Sequence, residues 1–461
     1  MNFDKYHLSQ GPFIKTLTVP GDRAKEILSE QDMYESNNRS YPRSVPLVPN
    51  RAKGAIIEDV DGNQFMDFFS LCGVVNVGHN QADVLDAIKE QMNKLIHAMD
   101  FPTTVKMNFI KNINDKLPAG LKNKVKFNFC GPSGADGVEA ALKLARINSK
   151  RDVVVSFQGA YHGMTQGALS ATSNLKSRKN IPYLTQGVHF VKYSYCYRCP
   201  FGKKPDSCNL ECASQIKDLL ENPHSGVDKP AAILIEPVQG EGGAIVPHKD
   251  FHSALRKICD DHGVLLIHDE VQVGFYRTGK LLASEHFNVT PDMVIMSKGI
   301  GGVGMPISLL LIKKEFDTWL PGTHAGTFRG NQLSMAAGNA ALDFIAENAI
   351  QEHVAAMGNI LMNGLLAIQK NSRFIGEVRG LGLIAGVEYV KDKTTKEPFI
   401  DFCIKMRAQL FENGILIEIG GHHSNVIRIL PPLIVTKVML DKFLELFEKI
   451  NKNIEESYGI L

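Results

Sequence analysis

The middle of the chain alternates between short apolar runs and longer segments of helical periodicity. The apolar runs are nearly uninterrupted and rich in β-branched residues, and they occupy residues 126–130, 152–158, 231–237, 263–270 and 292–297. Such runs are typical of strands buried on both faces of a mainly parallel sheet. Between them, segments such as residues 136–147 have the apolar spacing of an amphipathic helix. The pattern therefore predicts an α/β fold with a doubly wound sheet flanked by helices.

The flanking segments have a different pattern. Residues 56–69 predict a β-hairpin whose turn is Asp61-Gly62. After about residue 328 a long helical segment leaves the sheet layer, and strand-like runs follow at residues 382–390 and 425–430. We therefore expect an N-terminal arm with part of a small domain (1–75), a large domain (76–345) and a C-terminal small α+β domain (346–461).

Composition excludes several classes of protein. The chain has 461 residues, a net charge of +2 and eight cysteines, so it lacks the strong positive field of a nucleic-acid-binding protein. The N-terminal residues lack the apolar run of a signal peptide, and no run is long enough to span a bilayer. With few cysteines for this length, we expect a cytoplasmic protein without disulfides.

Residues 294–312 contain Gly299, Gly301 and Gly304 in the spacing G-x-G-x-x-G. A dinucleotide-binding loop needs a helix after the glycines, because the pyrophosphate lies at the helix N-terminus. Here Pro306 and a β-branched run follow, which predict another strand. The pattern therefore favours a second interpretation, in which the glycines leave room around Lys298.

A lysine just past a buried strand suits covalent chemistry. In a desolvated pocket its amine loses its charge and forms a Schiff base with an aldehyde cofactor. Asp269 ends another apolar strand, where a carboxylate needs a cationic partner such as a protonated pyridine nitrogen. If both strands are parallel, Asp269 and Lys298 lie at the same carboxyl edge. The alternatives are a solvated loop lysine and a structural aspartate.

Two further segments suit the same kind of ligand. Residues 127–145 predict a strand, a Gly-Pro-Ser-Gly turn and a helix, whose N-terminus is an anion site for a phosphate. The alternative is a helix simply capped by Ser133 or Asp136. In residues 157–173, the glycine-flanked pair Tyr161-His162 follows a strand, and an aromatic ring there either stacks on a planar cofactor or packs in the core.

Taken together, these motifs resemble the class III, fold type I aminotransferases, which use pyridoxal 5′-phosphate (PLP). The matching segments are GPSGADGVEAALKLA, GAYHGMT, IEPVQGEGG, HDEVQVGFYRTGK, SKGIGGVGMP, GTFRGNQ and NVIRILPPL. Within that family the sequences of these motifs are most similar to those of the diaminobutyrate–2-oxoglutarate aminotransferase branch. The resemblance implies a large domain with a mainly parallel seven-stranded sheet, a smaller α+β domain built from both chain ends, and a homodimer with shared active sites that in some cases pairs into tetramers.

The resemblance also implies the roles of individual residues. Lys298 would hold the cofactor as a Schiff base and then move the proton of the substrate α-carbon, while Asp269 would pair with the pyridine nitrogen. The other cofactor contacts would be Ser133, Gly134 and Ala135 at the phosphate, Tyr161 and Val271 on the two ring faces, Gln272 at the ring hydroxyl, His162 and Glu236 nearby, and Thr327 at the phosphate in the neighbouring subunit. Arg428 would pair with a substrate carboxylate, and Glu241 would hold that arginine when an amine-ended substrate enters.

The implied reaction moves the amino group of 2,4-diaminobutyrate to 2-oxoglutarate, giving aspartate 4-semialdehyde and glutamate. One departure concerns Met164, which stands where several class III enzymes have an arginine for the second carboxylate of glutamate. Racemases and epimerases share this scaffold and need no such anchor, so an isomerase is the second hypothesis.

A cysteine-rich segment has no assigned role in this reaction, although its YRCPFG portion also resembles the diaminobutyrate branch, where it is an ordinary loop beside the active site. Cys196, Cys199, Cys208 and Cys212 have the spacing C-x2-C-x8-C-x3-C, which suits a structural zinc site. The alternatives are four reduced cysteines on a surface loop and an oxidation-sensitive thiol pair. A non-enzymatic, metal-clasped binding protein is accordingly the third hypothesis.

Overall fold

The computed structural model describes residues 3–459. In chain order the strands are β1 Pro49–Lys53, β2 Ile56–Asp59, β3 Gln64–Asp67, β4 Val125–Phe129, β5 Val154–Phe157, β6 Val188–Val191, β7 Ala232–Ile235, β8 Leu265–Asp269, β9 Met293–Met296, β10 Leu309–Lys313, β11 Ile375–Leu381, β12 Ile384–Tyr389, β13 Ile415–Leu416, β14 Glu418–Gly420 and β15 Val426–Ile429.

The α-helices follow the same order. They are α1 Asp22–Tyr34, α2 Tyr41–Ser44, α3 Ser70–Gly73, α4 Ala82–Met92, α5 Thr104–Lys116, α6 Gly134–Ser149, α7 Gln166–Ala171, α8 Leu175–Arg178, α9 Glu211–Glu221, α10 Phe251–His262, α11 Gln332–Glu347, α12 Ile350–Asn371, α13 Ile400–Glu412 and α14 Lys437–Ser457. Among the described helices, none combines the length and apolarity needed to cross a bilayer.

The chain divides into two compact units. One unit contains residues 83–347, and the other combines residues 1–82 with residues 348–461. The predicted domain boundaries after residues 75 and 345 stay predictions.

A seven-stranded sheet forms the centre of the 83–347 unit. Its strand order is β4-β10-β9-β8-β7-β5-β6. Strands β9, β8, β7, β5 and β6 run parallel to one another. Strand β10 is antiparallel to both β4 and β9. Every residue of β5, β7, β8 and β9 is buried, as expected for strands covered on both faces. The predicted mainly parallel α/β sheet is therefore confirmed.

Helix α6 covers part of this sheet. Its apolar face, which includes Val138, Leu142 and Ala145, packs in one core cluster with the side chains of β7, β8 and β9. Gly137 permits this close packing, because a Cβ atom there would lie 2.8 Å from the Cγ2 atom of Ile295. The N-terminus of α6 is thereby held at the edge of the sheet.

The second unit contains two four-stranded sheets, β1-β2-β3-β13 and β11-β12-β15-β14. Strands β2 and β3 form the predicted hairpin, and Gly62 adopts the positive φ of 85° that its turn requires. The predicted strands at residues 382–390 and 425–430 are β12 and β15, which pair antiparallel.

Two histidines are fully buried in the 83–347 unit and belong to no predicted site. His252, on α10, and His268, on β8, lie with ring centroids 5.2 Å apart. The Nε2 atom of His252 is 2.9 Å from the carbonyl oxygen of Pro237. Burial lowers the pKa of His252 from 6.5 to about 4, because the enclosed ring loses hydration when it is charged.

The buried His252 ring makes stability depend on pH. Its pKa in the folded state lies below that in the unfolded state, so its stabilising contribution is complete above pH 6.5 and is lost as the pH falls towards 4. For His252→Gln, which keeps a donor for Pro237 but does not titrate, we expect the loss of stability between pH 7.5 and pH 5 to shrink by about 2 kcal/mol. Urea unfolding at both pH values measures this. The exposed His224 provides the control variant, His224→Gln, and an unchanged pH dependence in His252→Gln would contradict the assignment.

Candidate active site

The predicted site residues of the 83–347 unit collect at one edge of its sheet. Asp269 is the last residue of β8, and Lys298 follows the end of β9. Strand β4 reaches the same edge, because Phe129 and Met296 both pair with Leu309 at the start of β10. Ligands of open α/β sheets bind at this carboxyl edge.

The turn 131–135, where the sequence predicts a phosphate and which is called the phosphate turn below, lies close to the segment after Asp269 and to the residue before Lys298. A Cβ atom added to Gly134 would lie 2.9 Å from the Cγ1 atom of Val271 and 3.5 Å from the Cβ atom of Ser297. The N-terminus of α6, the turn after Asp269 and the residue before Lys298 therefore meet at one place, and only a glycine leaves enough space for this packing.

Lys298 has an unusual backbone conformation. Its φ angle of 48° lies in the left-handed region, which is strained for a residue with a side chain. The neighbouring Ser297 is fixed by a 2.6 Å hydrogen bond from its Oγ to the carbonyl oxygen of Ile307. The lysine is half-buried, and its amine makes no hydrogen bond or ion pair with any residue between 3 and 459. This amine is thus available to a ligand.

The glycines after Lys298 do not form a dinucleotide-binding loop. Lys298–Gly301 is a 3-10 turn, and strand β10 follows where a dinucleotide site would need a helix. Gly302, which was not in the predicted set, is closely packed: it has a φ of 70°, and a Cβ atom there would lie 2.9 Å from the Cβ of Ala341. The predicted strand after the glycines is confirmed.

Asp269 and His162 form a buried pair. The Nδ1 atom of His162 lies 2.7 Å from Oδ2 of Asp269, and Oδ1 of the same carboxylate accepts a 3.0 Å hydrogen bond from the amide of Val271. Both side chains are buried. The Nε2 atom of His162 is also buried and has no hydrogen-bond partner among residues 3–459. The carboxylate is thus oriented by its partners and needs further positive charge nearby.

Glu236 fixes the backbone beside Tyr161. Its two carboxylate oxygens accept hydrogen bonds from the amides of Tyr161 (3.0 Å) and Gly240 (2.9 Å). Burial raises the pKa of Glu236 to about 7, His162 opposes this rise, and the negative charge of Asp269 adds to it. A buried carboxylate so close to Asp269 makes the site's net charge depend on the pH near neutrality.

Gly163 fits the Tyr161-His162 turn against the phosphate turn. Its φ is 123°, and a Cβ atom there would lie 2.6 Å from the Cβ and 3.0 Å from the Cα of Ala135. Sequence reasoning missed this residue, although the motif GAYHGMT contains it.

The edge of the sheet fits the phosphorylated aldehyde cofactor that the sequence implies. Ser133 caps α6 with its Oγ, which accepts a long 3.3 Å hydrogen bond from the amide of Ala135. The amide of Gly134 donates to no residue in the described range 3–459, so a phosphate has a donor at the helix N-terminus. The amine of Lys298 and the carboxylate of Asp269 lie at the same edge, as an aldehyde and a pyridine nitrogen require.

The remaining predicted residues are placed individually. Val271 and Glu241 are half-buried, Gln272 is buried, and Thr327 and Ser133 are exposed. Arg428 belongs to the other unit, where it is buried on β15 and pairs in register with Gly386 and Glu418.

The four cysteines of the predicted zinc site line one small cavity together with His248 and Glu211. All four are half-buried free thiols. Within the described residues, however, the three potential metal-binding atoms that lie within 4.8 Å of one another belong to Cys130, Asp136 and His324. The zinc site thus stays a prediction.

Comparison with known proteins identifies the family to which the chain belongs. The model of the class III aminotransferases matches residues 37–450. A diaminobutyrate–2-oxoglutarate aminotransferase of Rhizobium meliloti is 40% identical and covers 90% of each chain. A leucine/methionine racemase of Thermococcus litoralis is 36% identical, over 93% of this chain and 97% of the racemase.

Solved structures agree with this result. An aminotransferase of Bacillus anthracis superimposes with a TM-score of 0.86 at 26% identity, over 96% of this chain and all of that one. A PLP-bound amine transaminase of an uncultivated Pseudomonas species superimposes with a TM-score of 0.80 at 28% identity, over 91% and 96% of the two chains. The chain therefore belongs to the class III aminotransferase family and is a PLP-dependent transaminase that acts on amino acids and keto acids.

Proposed function

We propose that the chain moves the terminal amino group of 2,4-diaminobutyrate to 2-oxoglutarate, in a homodimer located in the cytoplasm. The observation that carries the reaction type is the amine of Lys298, which bonds to no residue between 3 and 459 and lies at the sheet edge that also presents the Asp269–His162 pair. The choice of substrates is supported by relatives that are named for this reaction, at 40% and 37% identity.

PLP, when bound, stabilises negative charge at the substrate carbon that loses its proton. Side chains of this protein hold the cofactor, move the proton and provide the charge that pairs with the ring nitrogen. Lys298 would hold the cofactor covalently and then move the proton at that carbon. Its strained backbone, with a φ of 48°, is typical of a functional position. Asp269 would pair its negative charge with the protonated pyridine nitrogen, and His162 orients the Asp269 carboxylate through the 2.7 Å contact from Nδ1.

The other residues bind and orient. Ser133, Gly134 and Ala135 hold the phosphate at the N-terminus of α6, and Thr327 of the neighbouring subunit reaches the same group. Tyr161 and Val271 enclose the ring, with Gln272 at its hydroxyl. The exposure of Thr327 on the isolated chain supports its proposed position at a subunit interface.

Substrate recognition is assigned to Arg428 and Glu241. The guanidinium of Arg428 is buried on a strand, so it has a fixed position from which to bind a carboxylate in two-point contact. Glu241, a half-buried residue of the 83–347 unit, would supply a negative charge for the second amine of the donor.

A second candidate is an amino-acid racemase. Two observations favour it: the 36% identical relative named leucine/methionine racemase, and Met164 at the position of the arginine that binds a second carboxylate. Inversion of the α-carbon requires the proton transfer by Lys298 but no keto acid.

Substrate turnover separates the two candidates. With L-2,4-diaminobutyrate and 2-oxoglutarate together, we expect continuous formation of glutamate and aspartate 4-semialdehyde. Each half-reaction regenerates the form of the cofactor that the other half-reaction consumes. Without a keto acid, turnover should stop after about one equivalent per active site. Chiral chromatography of both mixtures, with L-leucine and L-methionine as parallel substrates, is the measurement. Steady formation of a D-amino acid without any keto acid would establish the racemase instead.

Covalent attachment of the cofactor tests the role of Lys298. Borohydride reduction of the isolated enzyme should fix a pyridoxyl group on Lys298, detected by mass spectrometry of the peptide that contains it. In Lys298→Ala the adduct should be absent, and activity should fall by roughly 1,000-fold or more, since both the nucleophile and the proton carrier are removed. Lys229→Ala, at an exposed position of the same unit, serves as the control. An adduct on another lysine of the native enzyme would refute the assignment.

The close packing at Gly163 tests the phosphate turn. In Gly163→Ala the new methyl group would collide with Ala135, so we expect weaker PLP binding, by roughly tenfold or more, in addition to lower stability. The matched control is Gly226→Ala, because Gly226 also has a positive φ (71°) but no atom within 4 Å of an added Cβ. Its cost should be about 1–2 kcal/mol of stability with unchanged PLP affinity. Equal PLP affinities in the two variants would show that the turn is not in contact with the phosphate site.

A further inference from the structure

A cluster of three side chains lies beside the phosphate turn and has no role in the reaction described so far. Cys130 precedes the turn, Asp136 lies in the first turn of α6, and His324 comes from a distant loop. One oxygen, one sulfur and one nitrogen of these residues lie within 4.8 Å of one another.

The hydrogen bonds of the cluster do not suit a metal ion. The Oδ2 atom of Asp136 already accepts a 2.5 Å hydrogen bond from the amide of Gly131, and the Nδ1 atom of His324 is 3.1 Å from the ammonium group of Lys143. Burial raises the pKa of the Cys130 thiol to about 12, and Asp136 adds to this rise. The hydrogen bonds of the cluster connect His324 through Asp136 to the Gly131 amide, and Cys130 lies beside this connection.

The tautomer of His324 follows from its neighbours. Because Lys143 donates to Nδ1, the proton of the neutral ring is on Nε2, which donates to Oδ2 of Asp136 at 3.2 Å. This hydrogen bond lowers the pKa of Asp136 and so keeps its carboxylate charged. The same oxygen thus joins His324 to the Gly131 amide through a charged acceptor, and such hydrogen bonds are stronger than neutral ones.

The loop that carries His324 is itself braced. Arg329 donates from Nη1 to the carbonyl oxygen of His324 at 3.0 Å and forms an ion pair with Asp100. Gly326 lies against the phosphate turn, because a Cβ atom there would be 3.8 Å from the amide nitrogen of Gly131. Loop 323–330 therefore has a fixed position from which His324 contacts Asp136.

We propose that His324 and Asp136 are positioning residues that hold the turn 131–135 in the shape that binds the cofactor phosphate. The inference rests on the proposed phosphate contacts of Ser133, Gly134 and Ala135. Without His324, the carboxylate of Asp136 loses its second partner and is free to rotate away from Gly131. The backbone donors of the turn then have to be ordered by the phosphate itself, which weakens its binding.

The test compares two ligands that differ in the phosphate. The full-length chain, freed of cofactor, is titrated with PLP and with pyridoxal, which lacks the phosphate. In His324→Ala we expect PLP affinity to fall by roughly tenfold while pyridoxal affinity stays within about twofold of the native value. His324→Gln, whose amide replaces the Nε2 donor, should recover most of the loss. Melting temperatures of the cofactor-free variants establish that each is folded.

A parallel variant separates this proposal from the proposed function. Ser133→Ala alters the phosphate contacts directly and should also reduce the preference for PLP over pyridoxal. A reduced preference in Ser133→Ala but not in His324→Ala overturns the positioning role and leaves the phosphate site in place. If neither variant changes the preference, both the phosphate contacts and the positioning role are refuted. Equal losses for PLP and pyridoxal in His324→Ala, or no recovery in His324→Gln, would mean that the histidine acts on general stability.

Discussion

The buried negative charge of Asp269 is the constraint on which the arrangement of the site depends. A carboxylate with 4% exposure is costly unless hydrogen bonds and positive charge surround it. The protein supplies two donors, the Nδ1 atom of His162 and the amide of Val271. In the proposed function, a protonated pyridine nitrogen would satisfy the remaining demand for positive charge, so that cofactor binding would also compensate the charge of Asp269.

The surrounding backbone is arranged so that this carboxylate stays in place. The amide of His162 donates to Thr172 at 2.9 Å, and the amide of the preceding Tyr161 donates to Glu236. Burial raises the pKa of Glu236 towards neutrality, and the negative charge of Asp269 adds to this rise. Glu236 and Asp269 differ in their partners, since two backbone amides donate to Glu236, whereas the His162 ring and one amide contact Asp269.

The sequence predicts the central strands of the sheet and several residues at its edge, but not every strand. The buried strands were predictable because their apolar runs are uninterrupted, and Asp269 and Lys298 stand out as charged residues at their ends. Strand β6, Val188–Val191, was not predicted, because it is a half-buried edge strand with a histidine in its centre. Lys298 and the phosphate turn each had a local signal, namely a strand followed by glycines, and the signal of Asp269 was its position at the end of an apolar strand.

Contacts between distant segments had no such signal. The pairing of His162 with Asp269 joins residues 107 positions apart, and that of Asp136 with His324 spans 188. A single histidine in a glycine-rich loop has many possible partners, and only the folded chain selects one. The close approaches at Gly134 and Gly163 are of the same kind, because a glycine's motif does not say which side chain will occupy the space beside it.

The chemistry of Lys298, Asp269 and His162 is common to transfer and inversion, so the difference between these reactions lies where the second substrate binds. An acceptor with two carboxylates needs two cationic partners, and Met164, with 52% exposure, supplies no charge. Arg178, which follows Met164 by 14 positions in the chain, is already engaged, because its Nη1 atom donates to the carbonyl oxygens of Leu169, Ser170 and Thr172 at the end of α7. The acceptor's second carboxylate is therefore neutralised by a residue outside this segment, or the natural acceptor has only one. The position of that charge, rather than the catalytic lysine, decides between the two reactions.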